Sequence, residues 1–512
     1  MLFLVQTEGD GVIPYRPRAG RSVRMDGERE VCVGLSGEDL GWRRILDQER
    51  IAFRVDDVPT APIVLLSGEA PGWLENFIEG GGVAVLSGAL PGCPLLPAGL
   101  RIAVTGFTPP SGHLRCSASS LATAFAGPGD GELRLHEDRV VKYGVDPDRF
   151  PVVQTVRHGA GGLIASGMPL TDLLTAPGDR LRRFSRTSAV TERVASVDKA
   201  DVADTLLHML RLAFRLAGLP LVTLPRFPRG SASVLILRID VDGVFGDNVR
   251  TLARVAEQRD VAMSFFLNAE LIEAHPGTLD CFPPRSEVGQ HGARHTLLEG
   301  FEDNVANLRE AESWMQTTVG MRPNSFVGPR GLWNAGLGQA LSELGYRYSS
   351  DFGLDFDSLP FRADSGVLQV PVHPYSPERA TVWADESGVP RPTSREVREH
   401  YVSVMADQVR RGRPAHLYGH PEVLGAMAPE VVPALHDFAS THQLPNLTLG
   451  EYADFWLSRE VATPQVLLAG GQLSITMGDV GLPVQVSGGR GFDVTVNGVR
   501  RGRQARSLAR YW

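Results

Sequence analysis

The stretch Leu235-Ile-Leu-Arg-Ile-Asp240-Val-Asp242-Gly carries the most chemistry in this 512-residue chain. An apolar run ends in two carboxylates spaced i, i+2, and on an extended strand that spacing puts both on one face. Two carboxylates crowded at the end of a buried strand repel each other and lose hydration, so a cation or a shared proton is the usual reason to tolerate them. One metal ligand plus one base is the expectation; two solvated aspartates in a turn is the alternative. Further along, Val288-Gly-Gln-His291-Gly-Ala-Arg-His295 supplies two imidazoles at i, i+4, which converge if the segment is helical or tightly turned. One carboxylate with two imidazoles suits Zn²⁺ or a similar divalent ion with open positions. In Ala415-His416-Leu-Tyr-Gly-His420-Pro a short strand delivers a histidine near its C-terminal end, and His420 is the candidate base or acid.

These segments need a scaffold that brings strand ends together. From Ser231 to about Arg459, strands, loops and one-faced helices alternate. Val305, Leu308, Ala311 and Met315 line one helix; Val397, Tyr401, Val404, Met405 and Val409 line another, opened by a capping box at Thr393 and Glu396 and closed by Gly412. This alternation predicts a (β/α) barrel whose strand ends share one mouth. Upstream, Ala61-Pro-Ile-Val-Leu-Leu and Gly82-Val-Ala-Val-Leu-Ser-Gly read as buried strands of a parallel sheet, with a helix from Trp73 between them. The expected organisation is an α/β domain over 1–125, a connecting β and helical region over 126–228 with a long helix around Asp201 to Ala217, the barrel over 229–460, and a small β module over 461–512.

Lys plus Arg is 51 against 59 for Asp plus Glu, a formal net charge of −8, which argues against generic affinity for nucleic acid or anionic membrane. No signal peptide is read at the N-terminus. The longest uncharged stretch, Gly80 to Leu100, is broken by Pro91, Pro94 and Pro97 and cannot span a bilayer. Cys32, Cys93, Cys116 and Cys281 form no C-x-x-C pair, so neither a thiolate metal site nor a disulfide framework is signalled. A cytoplasmic protein without membrane insertion is the expectation. Arg500, Arg501, Arg503, Arg506 and Arg510 make a basic edge for an anionic glycan or a partner chain, or a solvated face; the oligomeric state is not legible.

Residues 229–460 resemble the metal-dependent polysaccharide deacetylases of carbohydrate esterase family four. Asp240 and Asp242 match the first motif of that family, His291-x-x-x-His295 the second, and Leu417-x-x-His420 the fifth; Phe326 to Asn334 resembles the third and Tyr348-Ser-Ser-Asp351-Phe the fourth. The resemblance implies a divalent metal on Asp242, His291 and His295, with zinc first and cobalt, nickel or manganese as alternatives. It implies Asp240 as general base, His420 as acid, and a backbone N–H near Arg330 for the oxyanion. Pro329, Arg330, Trp333, Asp351, Leu417 and Tyr418 are the implied substrate contacts, and an N-acetylated amino sugar, glycan or glycoconjugate is the implied substrate. The sequence departs from the family at Val327, where an arginine usually pairs with the catalytic aspartate; Arg330 or Arg294 is expected to replace it.

The first 125 residues resemble a flavodoxin-like, class I glutamine-amidotransferase-like domain. Its nucleophile is missing, since the turn after the strand reads Leu86-Ser-Gly-Ala and Cys93 sits in a Pro-flanked context. A binding or packing role follows. Two rival readings remain: a metal-dependent amidase acting on a small non-sugar amide, and a catalytically inactive glycan-binding barrel.

Overall fold

The computed structural model describes residues 29–55, 59–88, 113–116, 123–126, 153–166, 169–185, 191–242, 246–270, 282–283, 285–382, 390–478, 481–488, 492–503 and 508–511. Cys93, Cys281, Arg506 and the N-terminal segment lie outside them.

The first nine strands among the described residues are β1 (Arg29–Glu30), β2 (Val33–Leu35), β3 (Phe53–Val55), β4 (Ile63–Ser67), β5 (Val83–Ser87), β6 (His113–Cys116), β7 (Thr123–Ala126), β8 (Val153–His158) and β9 (Gly161–Ser166). One six-stranded sheet has the order β3-β2-β4-β5-β9-β8, parallel except for β8, while β6 and β7 form a separate antiparallel pair. The sheet thus takes its last two strands from beyond residue 125, past the expected boundary, because β9 extends the buried parallel ladder on β5. β4 and β5 are buried almost throughout, as their unbroken apolar sequences require. Trp42, on the helix Leu40–Glu49, donates from its indole N–H to the Leu66 carbonyl at 3.1 Å and ties that helix to the sheet.

β10 (Asp179–Arg182) and β11 (Glu192–Ala195) make a hairpin, followed by the helix Lys199–Leu216 and β12 (Leu221–Thr223). The second large sheet is built from β13 (Leu235–Val241), β14 (Met263–Leu267), β15 (Ser286–Gln290), β16 (Ser325–Phe326), β17 (Tyr348–Ser349), β18 (Phe361–Arg362), β19 (Leu368–Gln369), β20 (Ala415–Gly419) and β21 (Asn446–Leu447). Its order is β18-β19-β17-β16-β15-β14-β13-β20, with β21 also on β13 and only the β18–β19 pair antiparallel. β18 and β20 remain unpaired with each other, so the sheet is an open, curled half-barrel. The helix Ser394–Arg411 carries the expected capping box at Thr393 and ends at Gly412 with φ 65°.

The last strands, β22 (Gln465–Ala469), β23 (Gln472–Thr476), β24 (Val484–Ser487), β25 (Asp493–Val496), β26 (Val499–Arg503) and β27 (Leu508–Tyr511), do not form a free-standing module. β1 joins β22, and β12 joins β24. Val466, Leu473, Ile475 and Val484 share one core with Val33, Trp42 and Leu210. A segment this short buries too little surface alone and borrows a core. No described helix is long and apolar enough to cross a membrane.

Arginines bolt the N-terminal sheet unit to the half-barrel. Arg44 pairs with Asp355, Arg459 donates to the Gln48 carbonyl at 2.8 Å, and Arg411 and Arg413 both reach Asp201 at 2.7 Å. Within this interface burial, reinforced by Asp201, pushes the Asp198 carboxyl up from 3.8 to about 7. Between those values the folded chain holds a proton that the unfolded chain releases, so rising pH destabilises the fold across that window. An Asp198→Asn variant removes the contribution. In chemical denaturation, the stability of the native protein minus that of the variant should fall as pH rises from 3.8 to about 7; a difference constant with pH would refute the assignment.

Candidate functional site

Alternation along β13 decides the site. Leu235, Leu237, Ile239 and Val241 face a core shared with Leu252, Val397 and Leu417, which turns Arg238, Asp240 and Asp242 together to the other side. Arg238 exposes none of its side chain. Its Nε and Nη2 donate to Asp240 Oδ1 and Oδ2 at 2.7 and 2.6 Å, and its Nη1 donates to the Ser350 carbonyl at 2.7 Å. Burial by itself would raise the Asp240 carboxyl, but the Arg238 charge and its two hydrogen bonds hold it below the ordinary range.

Asp242 lies just past the strand end. Its Oδ1 is 3.1 Å from His291 Nε2; its Oδ2 is 3.1 Å from His295 Nε2 and 3.3 Å from His420 Nε2. His291 follows β15, and its Nδ1 meets the Val327 carbonyl at 2.7 Å, which turns Nε2 toward Asp242. The two histidines are joined by a turn rather than a helix, with Gly292 at φ 83°, and their rings sit 5.1 Å apart. Despite these approaches, Asp242 Oδ1 and the Nε2 atoms of His291 and His295 are buried without an aligned hydrogen bond among the described residues. Lone pairs converging in this way fit a divalent ion. The ligand atoms lie within 4.8 Å of one another, and tetrahedral ligands about 2.0–2.2 Å from zinc are about 3.3 Å apart. Glu75, Glu79 and His158 also come together, but they are exposed carboxylates on a short helix beside one imidazole.

His420 is held from its other side by Glu378, whose Oε2 is 3.2 Å from Nδ1. Glu378 is buried; it accepts from the Leu424 N–H at 2.9 Å and from the Ser376 hydroxyl at 2.8 Å. Burial would lower the His420 imidazole, but Asp242 and Glu378 together raise it well above its ordinary value. His416 is separate. Its Nδ1 faces the Pro371 carbonyl at 3.1 Å, and burial, with Arg238 nearby, pushes it down to about 3.

Two residues were missed by sequence reasoning. Arg238 stands two residues before Asp240, and the same-face rule that pairs Asp240 with Asp242 also places it there. It, and neither Arg330 nor Arg294, takes up the Asp240 carboxylate; both of those arginines are exposed, and Arg330 is held in a turn at φ 59°. Glu378 opens the helix Pro377–Val382 and had no distinguishing pattern.

The implied substrate contacts divide. Tyr418 stands 5.7 Å from the His420 ring and 5.3 Å from the Arg238 guanidinium. Pro329 and Arg330 form the turn after β16. Asp351 is buried, accepts from the Gly328 N–H at 2.6 Å and from the Ser349 hydroxyl, and is pushed up to about 6 by burial; it braces that turn. Leu417 lies in the opposite core, and Trp333 packs near Phe301 and Leu337. Hairpin β10–β11 also reaches this end: Val194 and Ala195 pack with Tyr418 and Phe352, and Glu192 accepts from Arg379 Nε at 3.2 Å.

The family model for polysaccharide deacetylase matches residues 228–349. No curated protein sequence matches this chain. Among solved structures, one from Mycobacterium smegmatis assigned as a polysaccharide deacetylase is 18% identical with a TM-score of 0.40, covering 46% of this chain and 93% of its own. Another so assigned, from Pseudomonas aeruginosa PAO1, is 15% identical with a TM-score of 0.37, covering 46% and 93%. A family-four pseudoenzyme from Bacillus anthracis is 13% identical with a TM-score of 0.31, covering 43% and 66%.

Arg238→Met strands a buried carboxylate and should cost about 3–5 kcal/mol in urea unfolding. Arg330→Ala, at an exposed position, should cost less than about 1 kcal/mol. Equal costs would contradict the Arg238–Asp240 pairing.

Proposed function

We propose that the half-barrel is a metal-dependent N-deacetylase that hydrolyses the acetamide of an N-acetylated amino sugar, alone or within a glycan or glycoconjugate. The observation that carries this reading is the convergence of Asp242, His291 and His295 beside an Arg238-paired Asp240 on one flank and a Glu378-backed His420 on the other. The family match over residues 228–349 supports the substrate class and the amide chemistry.

Asp242, His291 and His295 would hold the ion, with zinc the best fit to this donor set. When bound, it supplies Lewis acidity toward the amide carbonyl and makes a neighbouring water more acidic. Asp240, kept ionised by Arg238, takes a proton from that water as it attacks the carbonyl carbon. His420, charged between Asp242 and Glu378, gives a proton to the departing amine nitrogen. In the turn after β16 the N–H groups of Gly328, Gly331 and Leu332 are already donated, which leaves the Arg330 N–H for the oxyanion. Tyr418 walls the site beside His420.

The order β3-β2-β4-β5-β9 supports a flavodoxin-like reading of the N-terminal sheet, used for packing and positioning. The inactive-barrel reading rests on Val327 in place of arginine and on the missing nucleophile of the first domain. Arg238 supplies that charge from another position, which weakens the first of these grounds.

The deciding assay is acetate release from a panel of N-acetylated amino sugars by chelated and metal-restored protein, with small cyclic and ureido amides alongside. Activity lost and restored on the sugars alone supports the proposal; turnover of the small amides alone favours the amidase, and none at all with stoichiometric metal favours a binding protein. Asp240→Asn should keep its metal and lose about 10²–10⁴-fold in kcat. Glu378→Gln should lower kcat more than KM and shift the alkaline limb of the rate profile to lower pH, since His420 loses one of the two carboxylates that raise it.

A further inference from the structure

A cavity lies at the far end of the half-barrel from the candidate metal site. It has a volume of about 490 Å³, opens to solvent and is lined by the helix Lys199–Leu216, β12, β24 and the approach to β13. Ser231 and Ala232 precede β13 and Gly412 precedes β20, whereas Asp240, Asp242 and His420 lie at the opposite ends of those strands. A seven-residue strand at about 3.3 Å per residue separates the two by about 20 Å. The volume falls within the range of about 300–1,000 Å³ typical of small-molecule sites.

The lining is strongly biased in charge. Arg211, Arg215 and Arg226 all line the cavity, with Glu49 the single carboxylate among the lining residues. Arg226 already takes that carboxylate, donating from Nε to Oε1 at 2.8 Å. Arg211 and Arg215 sit at i, i+4 on one helix face, a like-charge arrangement that destabilises a helix unless an anion relieves it. Neither makes an ion pair with a described residue. Arg211 lies among the like charges of Arg226 and Arg215 and the carboxylates of Glu49 and Asp204. Phe214, Leu221 and Phe227 add apolar wall, and Thr223 and Gln485 also line it. The Arg211 and Arg215 guanidinium groups beside a partly apolar wall match an oxyanion carried on a small polar body.

We propose that this cavity binds a small metabolite bearing a phosphomonoester or a carboxylate, with a body of about monosaccharide size, through Arg211 and Arg215. It is a site distinct from the metal cluster and does not depend on the barrel being a deacetylase.

The test is calorimetric titration of the full-length protein with inorganic phosphate, a hexose 6-phosphate and a hexuronate, repeated at raised salt and with the Arg211→Ala/Arg215→Ala double variant. Both arginines are exposed, so the variant should fold, and an unchanged melting temperature will show that it has. Saturable binding by the hexose phosphate or the hexuronate, weakened at least about tenfold in the variant and by salt, supports the proposal; the stronger of the two identifies the anion. Binding of inorganic phosphate alone would overturn the size class. Binding unchanged in the folded variant, or no saturable binding of any of the three, would overturn the site.

Discussion

A guanidinium sealed inside a strand governs the end of the half-barrel where the candidate site lies. Removing a carboxylate and a guanidinium from water costs several kcal/mol per ion, and only a well-aligned pair with further hydrogen bonds recovers it. Arg238 meets that demand by giving one nitrogen to each Asp240 oxygen and a third to the Ser350 carbonyl. A lysine has no such planar fork. Because both partners lie on β13, their spacing is set by the pleat and does not depend on a loop. Asp240 therefore stays ionised next to Asp242, where two bare carboxylates would otherwise compete for one proton.

The imidazoles depend on a second layer of contacts that fix their orientation. The Val327 carbonyl sets the His291 ring and Glu378 backs His420, while Glu378 is itself held by a backbone N–H and a hydroxyl. A ligand or acid that is free to rotate loses directional strength, so these outer partners matter nearly as much as the groups they hold. The third layer is the rest of the chain. Hairpin β10–β11 packs on Tyr418, and β1 and β12 complete sheets made mostly of C-terminal strands, so segments distant in sequence share cores. The half-barrel is thereby braced on faces that it would leave open by itself.

Local pattern made much of this legible. Apolar runs marked β4, β5 and β13, the capping box at Thr393 marked its helix, and the types and spacing of Asp240, Asp242, His291, His295 and His420 marked residues that the fold brings to one place. Each signal is short-range, since pleat, helix period and turn chemistry act over a few residues. Arg238 was legible by the same rule and was passed over because arginine in an apolar run reads as an interruption, not as part of a site. What only the tertiary structure decided is which distant groups meet: Glu378 on His420, the Val327 carbonyl on His291, β9 extending the first sheet past residue 125, and arginines from two segments around one cavity. Those contacts join residues tens to hundreds of positions apart, and no local period encodes them. They follow from how layers pack to bury apolar surface and pair the charges trapped between them.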